Sequence, residues 1–445
     1  MGSVDTGTCF ANIRAVQNFL LICCLLTGAR AKETTLLTPP FSHTLGFSRA
    51  SKFYLDMYTK RNFRFADPEG LACEKLRAED DTTTVMDDHI LSLFGVNSGT
   101  GEIVYNTGMR NLRIFGKAGS GDGEFQHPHG IAVHRNGDVY VADTDNNRVV
   151  HLRYTRNGLE FGGNISGFSH PCDVAVDSRG RVYVADCDNS RVVVLDAAGQ
   201  VKANWDGFNR PTGICVIDRD ARRNYYEDDF AVVIDDNGRR LTKVNLSGEQ
   251  QAAISARDIG LASAGFAYCA LDYYASVYVT DRLNDQVHKF DHNLVHITSF
   301  GRTGSGEGEF NSPRGIAIGR QFGQVFIGEA EGGQYYWIGL DAYFLGCFPP
   351  VIARDRPGTT IALYATEVSE LTISILDKKK KRVRSLYTPK NREKPGELLV
   401  VWDGRDDAGK PVPPGDYTVQ AVLKPTYGGF RGRFQKELTG KVKRV

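Results

Sequence analysis

The segments HPHGIAV (127–133), DVYVAD (138–143) and DNNRVV (145–150) decide the fold, because the chain repeats them almost at once. The second copy reads HPCDVAV (170–176), VYVAD (182–186) and DNSRVV (188–193). Self-similarity at a spacing of about 40–50 residues is typical of repeat architectures, in which each repeat is one small unit of secondary structure. The two copies therefore predict a fold built from repeats.

Weaker copies extend the pattern in both directions. With Phe266 in place of the proline, six copies begin near residues 68, 128, 171, 211, 266 and 313. Each copy contains short β-rich segments bounded by Gly, Asn and Asp, which predicts an antiparallel sheet of about four strands. In the first copy Ile103–Tyr105 is interpreted as the second strand, and the alternating segment Lys52–Tyr58 as a strand that pairs with the last copy.

The repeated segments resemble the NHL repeat, whose family forms six-bladed β-propellers. The resemblance covers about residues 50–349, and it implies an all-β chain with a closed ring of six blades. The small and β-branched residues of the GIAV segment suit the innermost strand, where the blades converge. Polar residues in the turn between the second and third strands are interpreted as backbone caps, and as acids that pair with an arginine across a blade boundary, rather than as ligands. These residues are Asp143, Asn147, Arg148, Asp186, Asn189 and Arg191.

A different β pattern begins after Pro350. Alternating segments at 360–364, 371–376, 398–402 and 417–422 predict a β-sandwich of about a hundred residues. The segment WDGRDDAGKPVPPGDY (402–417) resembles the signature of the immunoglobulin-like domain of the flagellar hook-capping protein (FlgD-type). We therefore expect a second domain over residues 351–445, with Trp402 in its core and Gly415 opening its final strand. The basic segment Lys378–Arg384 is expected to form a solvated hairpin turn.

The amino-terminal residues 1–31 resemble an export signal with an unusually long first part. An apolar segment at 19–26 precedes the small-x-small pattern Ala29-Arg30-Ala31. We therefore expect a secreted, periplasmic or cell-surface protein without a transmembrane segment. The six cysteines after this leader show no metal-ligand spacing, and we interpret them as small buried residues.

Charge and composition exclude several classes of protein. Hydrophobic residues make up 41% and charged residues 24%, which excludes a wholly disordered chain and a polytopic membrane protein. The net charge of +1 gives no support for nucleic-acid binding. From residue 350 onward 20 basic and 11 acidic side chains give +9, so the preceding part carries −8. For the basic second domain, association with an anionic cell-envelope polymer is the alternative to a solvated hairpin at Lys378–Arg384.

The functional prediction is a non-catalytic, monomeric binding or scaffold protein. The sequence has no Gly-x-Ser-x-Gly, phosphate-binding loop or His-Glu-x-x-His motif, and we expect no cofactor and no metal. The residues after the blade prolines should form a ring at one mouth of the channel that binds a protein or glycan partner, with the second domain as spacer or anchor. An alternative is a metal-dependent lyase or lactonase, although the ring holds one histidine. The predicted binding residues are Glu69, His129, Thr212 and Arg314, and the ring is completed by Cys172 and Ala267.

Overall fold

A computed structural model describes residues 34–38, 49–60, 62–80, 91–108, 111–353, 358–387, 392–428 and 434–445. Over these residues the chain consists of β-strands, short 3-10 turns and one α-helix, and it forms two compact units. Of the described residues, the first unit contains 36–338 and 427–428, and the second contains 34–35, 339–426 and 434–445. The predicted leader, residues 1–31, lies outside the described residues.

The first unit contains six antiparallel sheets in the order of the predicted repeats. The strands of the first three blades are β3 (Pro68–Glu74), β4 (Ser92–Asn97), β5 (Glu102–Thr107), β6 (Asn111–Phe115), β7 (Ile131–Val133), β8 (Asp138–Asp143), β9 (Arg148–Thr155), β10 (Gly158–Ser166), β11 (Pro171–Val176), β12 (Val182–Asp186), β13 (Arg191–Leu195) and β14 (Val201–Trp205). Those of the last three are β15 (Gly213–Ile217), β16 (Phe230–Asp235), β17 (Arg240–Val244), β18 (Gln250–Ser255), β19 (Phe266–Leu271), β20 (Val277–Asp281), β21 (Gln286–Phe290), β22 (His296–Phe300), β23 (Ile316–Gly319), β24 (Gln324–Glu329) and β25 (Gly332–Ile338).

The six blades close into a ring. The first strand of each blade contacts the first strand of the next, and β23 of the last blade contacts β3 of the first. The predicted six-bladed β-propeller is therefore confirmed, with the GIAV segments at the axis. Apolar side chains of adjacent blades form shared clusters, such as Val232 and Ile234 of the fourth blade with Val277 and Val279 of the fifth. Each blade thus covers one face of its neighbour.

The sixth blade takes its outer strands from the amino-terminal part of the unit. β1 (Leu36–Leu37) and β2 (Arg49–Ala50) both pair antiparallel with β25. The prediction that Lys52–Tyr58 is the closing strand is wrong, because this segment lies in helix α1 (Lys52–Thr59). The helix aligns Lys52 with Asp56 in an i,i+4 ion pair of 2.7 Å, and it buries Leu55. The segment is therefore helical although its aromatic residues individually favour strands.

The first blade also differs from its prediction. Ile103–Tyr105 lies in β5, the third strand of the sheet, whereas β4 (Ser92–Asn97) is the second. The sequence interpretation missed β4 because Gly95 interrupts its apolar pattern and an insertion separates it from β3.

The second unit is the predicted sandwich. One sheet contains β26 (Ala342–Phe348), β28 (Thr359–Ala365) and β32 (Gly396–Trp402), and the other contains β27 (Val351–Ile352), β29 (Ser369–Leu376), β30 (Arg382–Tyr387), β31 (Arg392–Glu393), β33 (Gly415–Pro425) and β34 (Lys436–Arg444). Trp402 is fully buried in the shared core, as predicted. Gly415 opens β33, but β34 follows, so β33 is not the final strand. Because β26 pairs with β28, the unit begins at Gly339 rather than at residue 351.

Candidate functional site

The end of the second strand in each of the first five blades carries a side chain that holds the connector from the preceding blade. Asp143 Oδ1 accepts a hydrogen bond from the backbone N–H of Gln126 at 2.7 Å, and Asp186 Oδ1 accepts one from Ser169 at 2.7 Å. Asn97 of the first blade makes the same contact with Ala66 at 2.9 Å. Asp235 and Asp281 repeat it with Asn209 and Gly265. These acids and amides are therefore occupied by the backbone.

The arginine of the repeat pairs with the acid of its own blade. Arg148 Nε donates to Asp143 Oδ2 at 2.7 Å, and Arg191 Nε donates to Asp186 Oδ2 at 2.7 Å. The expected pairing across a blade boundary is therefore wrong, because β8 and β9 place the two side chains opposite each other in one sheet.

The amides of the two strong repeats have different partners. Asn189 Nδ2 donates to Asp186 at 2.9 Å, and its structural equivalent in the second blade is Asn146, which donates to Asp143 at 2.8 Å. Asn147 instead has a left-handed backbone, with φ of 53°, and its Oδ1 accepts the N–H of His170 at 2.8 Å. Asn147 thus connects the second blade to the third.

The predicted mouth residues divide into two groups. The structure brings Arg314 and Glu69 together in an ion pair, to which Asp67 also contributes, while Tyr268 Oη donates to Glu69 Oε2 at 2.9 Å. Burial raises the pKa of Glu69, and Arg314 and Tyr268 partly offset that shift. Both carboxylate oxygens of Glu69 and the Nη1 group of Arg314 are thus used internally, whereas Arg314 Nε is buried without a hydrogen-bond partner among the described residues. The role of Glu69 and Arg314 in partner binding stays a prediction.

The other mouth residues do not join this network. Burial, together with the neighbouring His170, lowers the pKa of His129 to about 4, so His129 is neutral at pH 7. The hydroxyl oxygen of Thr212 is buried without a hydrogen-bond partner in the described part of the chain. Cys172 and Ala267 are buried. Over the described residues, no group of three or more His, Cys, Asp or Glu side chains is placed to hold a metal ion.

Two residues that the sequence interpretation did not single out face the channel. The third position of the Pro-x-Gly phrase is glycine in four blades, but it is Asp173 in the third blade and Tyr268 in the fifth. The glycines are required because neighbouring first strands are very close: a Cβ on Gly315 would lie 2.4 Å from the Glu69 carbonyl oxygen, and one on Gly130 would lie 2.1 Å from Asp173 Oδ1. Asp173 and Tyr268 both line the channel cavity. The sequence contained a signal for these two channel residues, because their blades lack the glycine that the other four blades have at this position.

Asp173 is a buried acid whose charge is not balanced by a cation. Its two carboxylate oxygens accept backbone N–H groups of Val174 and Ile214, each at 2.9 Å. Burial outweighs these bonds and raises the pKa of Asp173 to about 8. The carboxyl group is therefore protonated at neutral pH. The part of the channel that Asp173 lines thus carries less negative charge than the sequence of the protein implies.

This shift of the Asp173 pKa predicts a pH dependence of stability. The folded protein keeps the Asp173 proton up to about pH 8, whereas the unfolded chain loses it near pH 4, so the unfolding free energy should fall by up to about 1.4 kcal/mol per pH unit between these values. The Asp173→Asn variant lacks this contribution. Urea unfolding at pH 5, 6.5 and 8 should therefore show the variant gaining stability relative to wild type as pH rises. A constant difference across the three pH values would contradict the assignment.

The channel widens at the opposite end, where the first strands finish. A cavity of about 260 Å³ runs along the first strands and reaches the connections that follow them. Five basic side chains from four blades line it: Lys75, Arg135, Arg222, Arg223 and Arg320.

Two of these cations have no carboxylate partner among the described residues. Lys75 pairs with Asp80 at 2.9 Å, and Arg135 lies 3.8 Å from the same acid. Arg222 is exposed and forms no ion pair, while Arg320 Nη1 is buried without a hydrogen-bond partner. Two further acids line the cavity: Asp177 pairs with Arg181 at 2.6 Å, and Glu74 accepts the backbone N–H of Lys75 at 2.9 Å. The cavity therefore combines a basic rim with an uncharged floor at Asp173.

Comparisons with known proteins agree with the two-unit architecture. The NHL repeat model matches residues 125–152 and 168–195, and the FlgD Ig-like domain model matches residues 353–425. The chain is thus an NHL-repeat propeller followed by a FlgD-type immunoglobulin-like domain. No curated protein matches the chain.

Solved structures resemble the chain only distantly. A streptogramin B lyase is 13% identical with a TM-score of 0.43, over 62% of this chain and 95% of the lyase. A virginiamycin B lyase from Staphylococcus aureus is 13% identical with a TM-score of 0.41, over 56% and 77%. The Kuenenia stuttgartiensis hydrazine synthase is 11% identical with a TM-score of 0.42, over 67% and 77%. Similarity at this level carries no information about activity.

Proposed function

We propose that this chain is an exported, non-catalytic binding protein whose propeller holds a carboxylate group of a protein or glycan partner. The observation that carries this proposal is the basic rim of the channel cavity. Guanidinium groups recognise carboxylates through paired hydrogen bonds, and Arg222 and Arg320 have unused donors at the same cavity. The neutral state of Asp173 lowers the electrostatic cost of an incoming anion. The site thus lies at the opposite end of the channel from the predicted ring.

The basic turn of the immunoglobulin-like unit supports a role for this unit as a spacer or as an anchor to the cell envelope. Its basic segment forms the hairpin turn that the sequence predicts: Asp377 Oδ1 accepts the N–H groups of Lys379 and Lys381 at 2.8 and 2.9 Å. The lysines of the turn are exposed and add to the net positive charge of this part of the chain. Such a turn suits contact with an anionic polymer of the cell envelope. No helix among the described residues is long and apolar enough to cross a membrane.

Binding of acidic oligomers tests the proposed site. Oligogalacturonate and a hexaglutamate peptide carry the carboxylates, and maltohexaose and a hexaglutamine peptide are their neutral counterparts. We expect calorimetry to detect binding of at least one acidic probe, weakened by added salt because the contact is ionic. Replacing Arg222 with Ser and Arg320 with Gln together should weaken it about 10-fold or more, since hydrogen bonds to charged groups contribute about 1.5–3 kcal/mol each.

A matched control separates the rim from general surface charge. Arg219 is exposed and pairs with Asp229 at 3.4 Å, but it does not line the cavity, so Arg219→Ser should bind like wild type. Equal binding by the Arg222/Arg320 double variant would contradict the proposal. If prolonged incubation shortens the bound oligomer, the proposal of a non-catalytic binding protein is overturned in favour of the enzyme alternative.

A further inference from the structure

The junction between the first and sixth blades is narrow at the axis and open farther out. At the axis Gly315 lies against the Glu69 backbone, and Arg314 forms the ion pair with Glu69. Farther out, glycines of both blades line the junction, among them Gly95 of β4, Gly328 of β24 and Gly333 of β25. A cavity of about 210 Å³ lies between the two blades.

The lining of this junction cavity is almost entirely apolar. Helix α1 contributes Tyr54, Leu55 and Tyr58, which share one helical face by their spacing. Blade side chains complete the wall, with Phe326 and Tyr335 stacked at 5.0 Å between ring centroids. The helix that replaced the predicted closing strand therefore forms one wall of the cavity.

One polar group in the wall lacks a partner. Asn106 is only 7% exposed, lines the cavity, and its Oδ1 oxygen forms no hydrogen bond with any residue that the structure describes. It lies on β5 two residues after Val104 and opposite Leu93 of β4, and both neighbours line the same cavity. A buried acceptor without a donor is destabilising and is rare in folded proteins. A bound molecule with one hydrogen-bond donor would satisfy it.

The size of the cavity and its charge define the class of ligand. An apolar cavity of about 150 Å³ is sufficient to bind benzene, so this one has room for a substituted ring. Its one charged lining residue is the acid Glu69, which disfavours carboxylates and other anions. We propose that the cavity between blades one and six binds a small, uncharged aromatic molecule that carries a single hydroxyl or N–H group, which donates to Asn106 Oδ1.

Two probes of nearly equal shape test this site. Para-cresol has a hydroxyl where para-xylene has a methyl group. The two free probes differ in solvation by the same amount in every experiment, so a change in the ratio of their dissociation constants between protein variants reports the hydrogen bond to Asn106. Titration calorimetry on the full chain should detect para-cresol. In the Asn106→Leu variant the preference for para-cresol relative to para-xylene should fall about 5-fold compared with wild type. Val104→Phe should fill the cavity and weaken both probes.

Control measurements keep the test independent of how well these variants fold. Asn204 is exposed on β14, and Asn204→Leu should leave both dissociation constants unchanged. In the wild-type protein, para-cresol should shift the side-chain amide resonances of Asn106, and para-xylene should shift those of the lining methyl groups without the same amide change. The proposal is overturned if para-cresol fails to bind at millimolar concentration, if its shifts map to the channel, or if Asn106→Leu leaves the ratio of dissociation constants unchanged.

Discussion

A chain that ends at residue 265 should fail to fold into a cooperatively unfolding monomer. The cut removes the fifth and sixth blades, including β25 of the sixth blade, with which β1 and β2 pair. It uncovers Val232 and Ile234 of the fourth blade, which are fully buried against the fifth. Burying one such side chain contributes about 1.5–3 kcal/mol, and the lost contacts involve many of them. The sum exceeds the 5–15 kcal/mol by which a typical protein is stable.

The matched fragment contains residues 34–338 and keeps all six blades with both closing strands. Near-ultraviolet circular dichroism and urea unfolding should show one sharp transition for this fragment and a broad or absent transition for residues 34–265. Size-exclusion chromatography should show aggregation of the shorter fragment, because its open blade faces are apolar. A monomeric shorter fragment with a sharp transition would contradict closure as the source of stability.

The propeller was predictable because two repeats are nearly identical and the others keep their apolar core positions. Prediction failed where local preference and tertiary context disagree. Lys52–Thr59 is rich in β-favouring aromatic residues, yet it is a helix because Tyr54, Leu55 and Tyr58 cover one gap between blades. The predicted domain boundary near residue 350 was placed where the blade pattern ends. The boundary lies earlier in the chain because β26, which precedes residue 350, pairs with β28 of the sandwich.

The candidate site was less predictable than the fold. The ring after the blade prolines could be located, but the sequence does not show that Glu69 and Arg314 pair with each other, since they lie in the first and last blades. The basic rim comes from connections of unequal length, so its members share no position in the repeat. Asp173 was visible as a departure from glycine, but its raised pKa depends on burial that the sequence does not reveal.

Arg148 holds the second blade to the connector that precedes it. Its guanidinium donates to Asp143 within the blade and to the carbonyl oxygens of Ser120, Gly121 and Glu124 at 2.9–3.1 Å. The Asp143 side chain is fully buried, and that of Arg148 is 12% exposed. Burial raises the pKa of Asp143, while its hydrogen bonds, including that of Arg148, lower it. Loss of the arginine would therefore leave a buried acid without its cation and three carbonyl groups without their donor.

Replacing Arg148 with Ala should lower the unfolding free energy by about 3 kcal/mol, since removing one partner of a buried ion pair costs about 3–5 kcal/mol. Urea unfolding of the full chain measures this change in the propeller transition. Arg153→Ala is the matched control on the same strand, because Arg153 pairs with Asp138 at 2.9 Å but is 53% exposed, and exposed pairs contribute about 0–1 kcal/mol. Arg148→Lys should recover only part of the loss, because an ammonium group cannot reach four acceptors in the geometry of a planar guanidinium. Equal effects of Arg148→Ala and Arg153→Ala would show that the connector contacts contribute little, and stability would then rest on the apolar packing between blades.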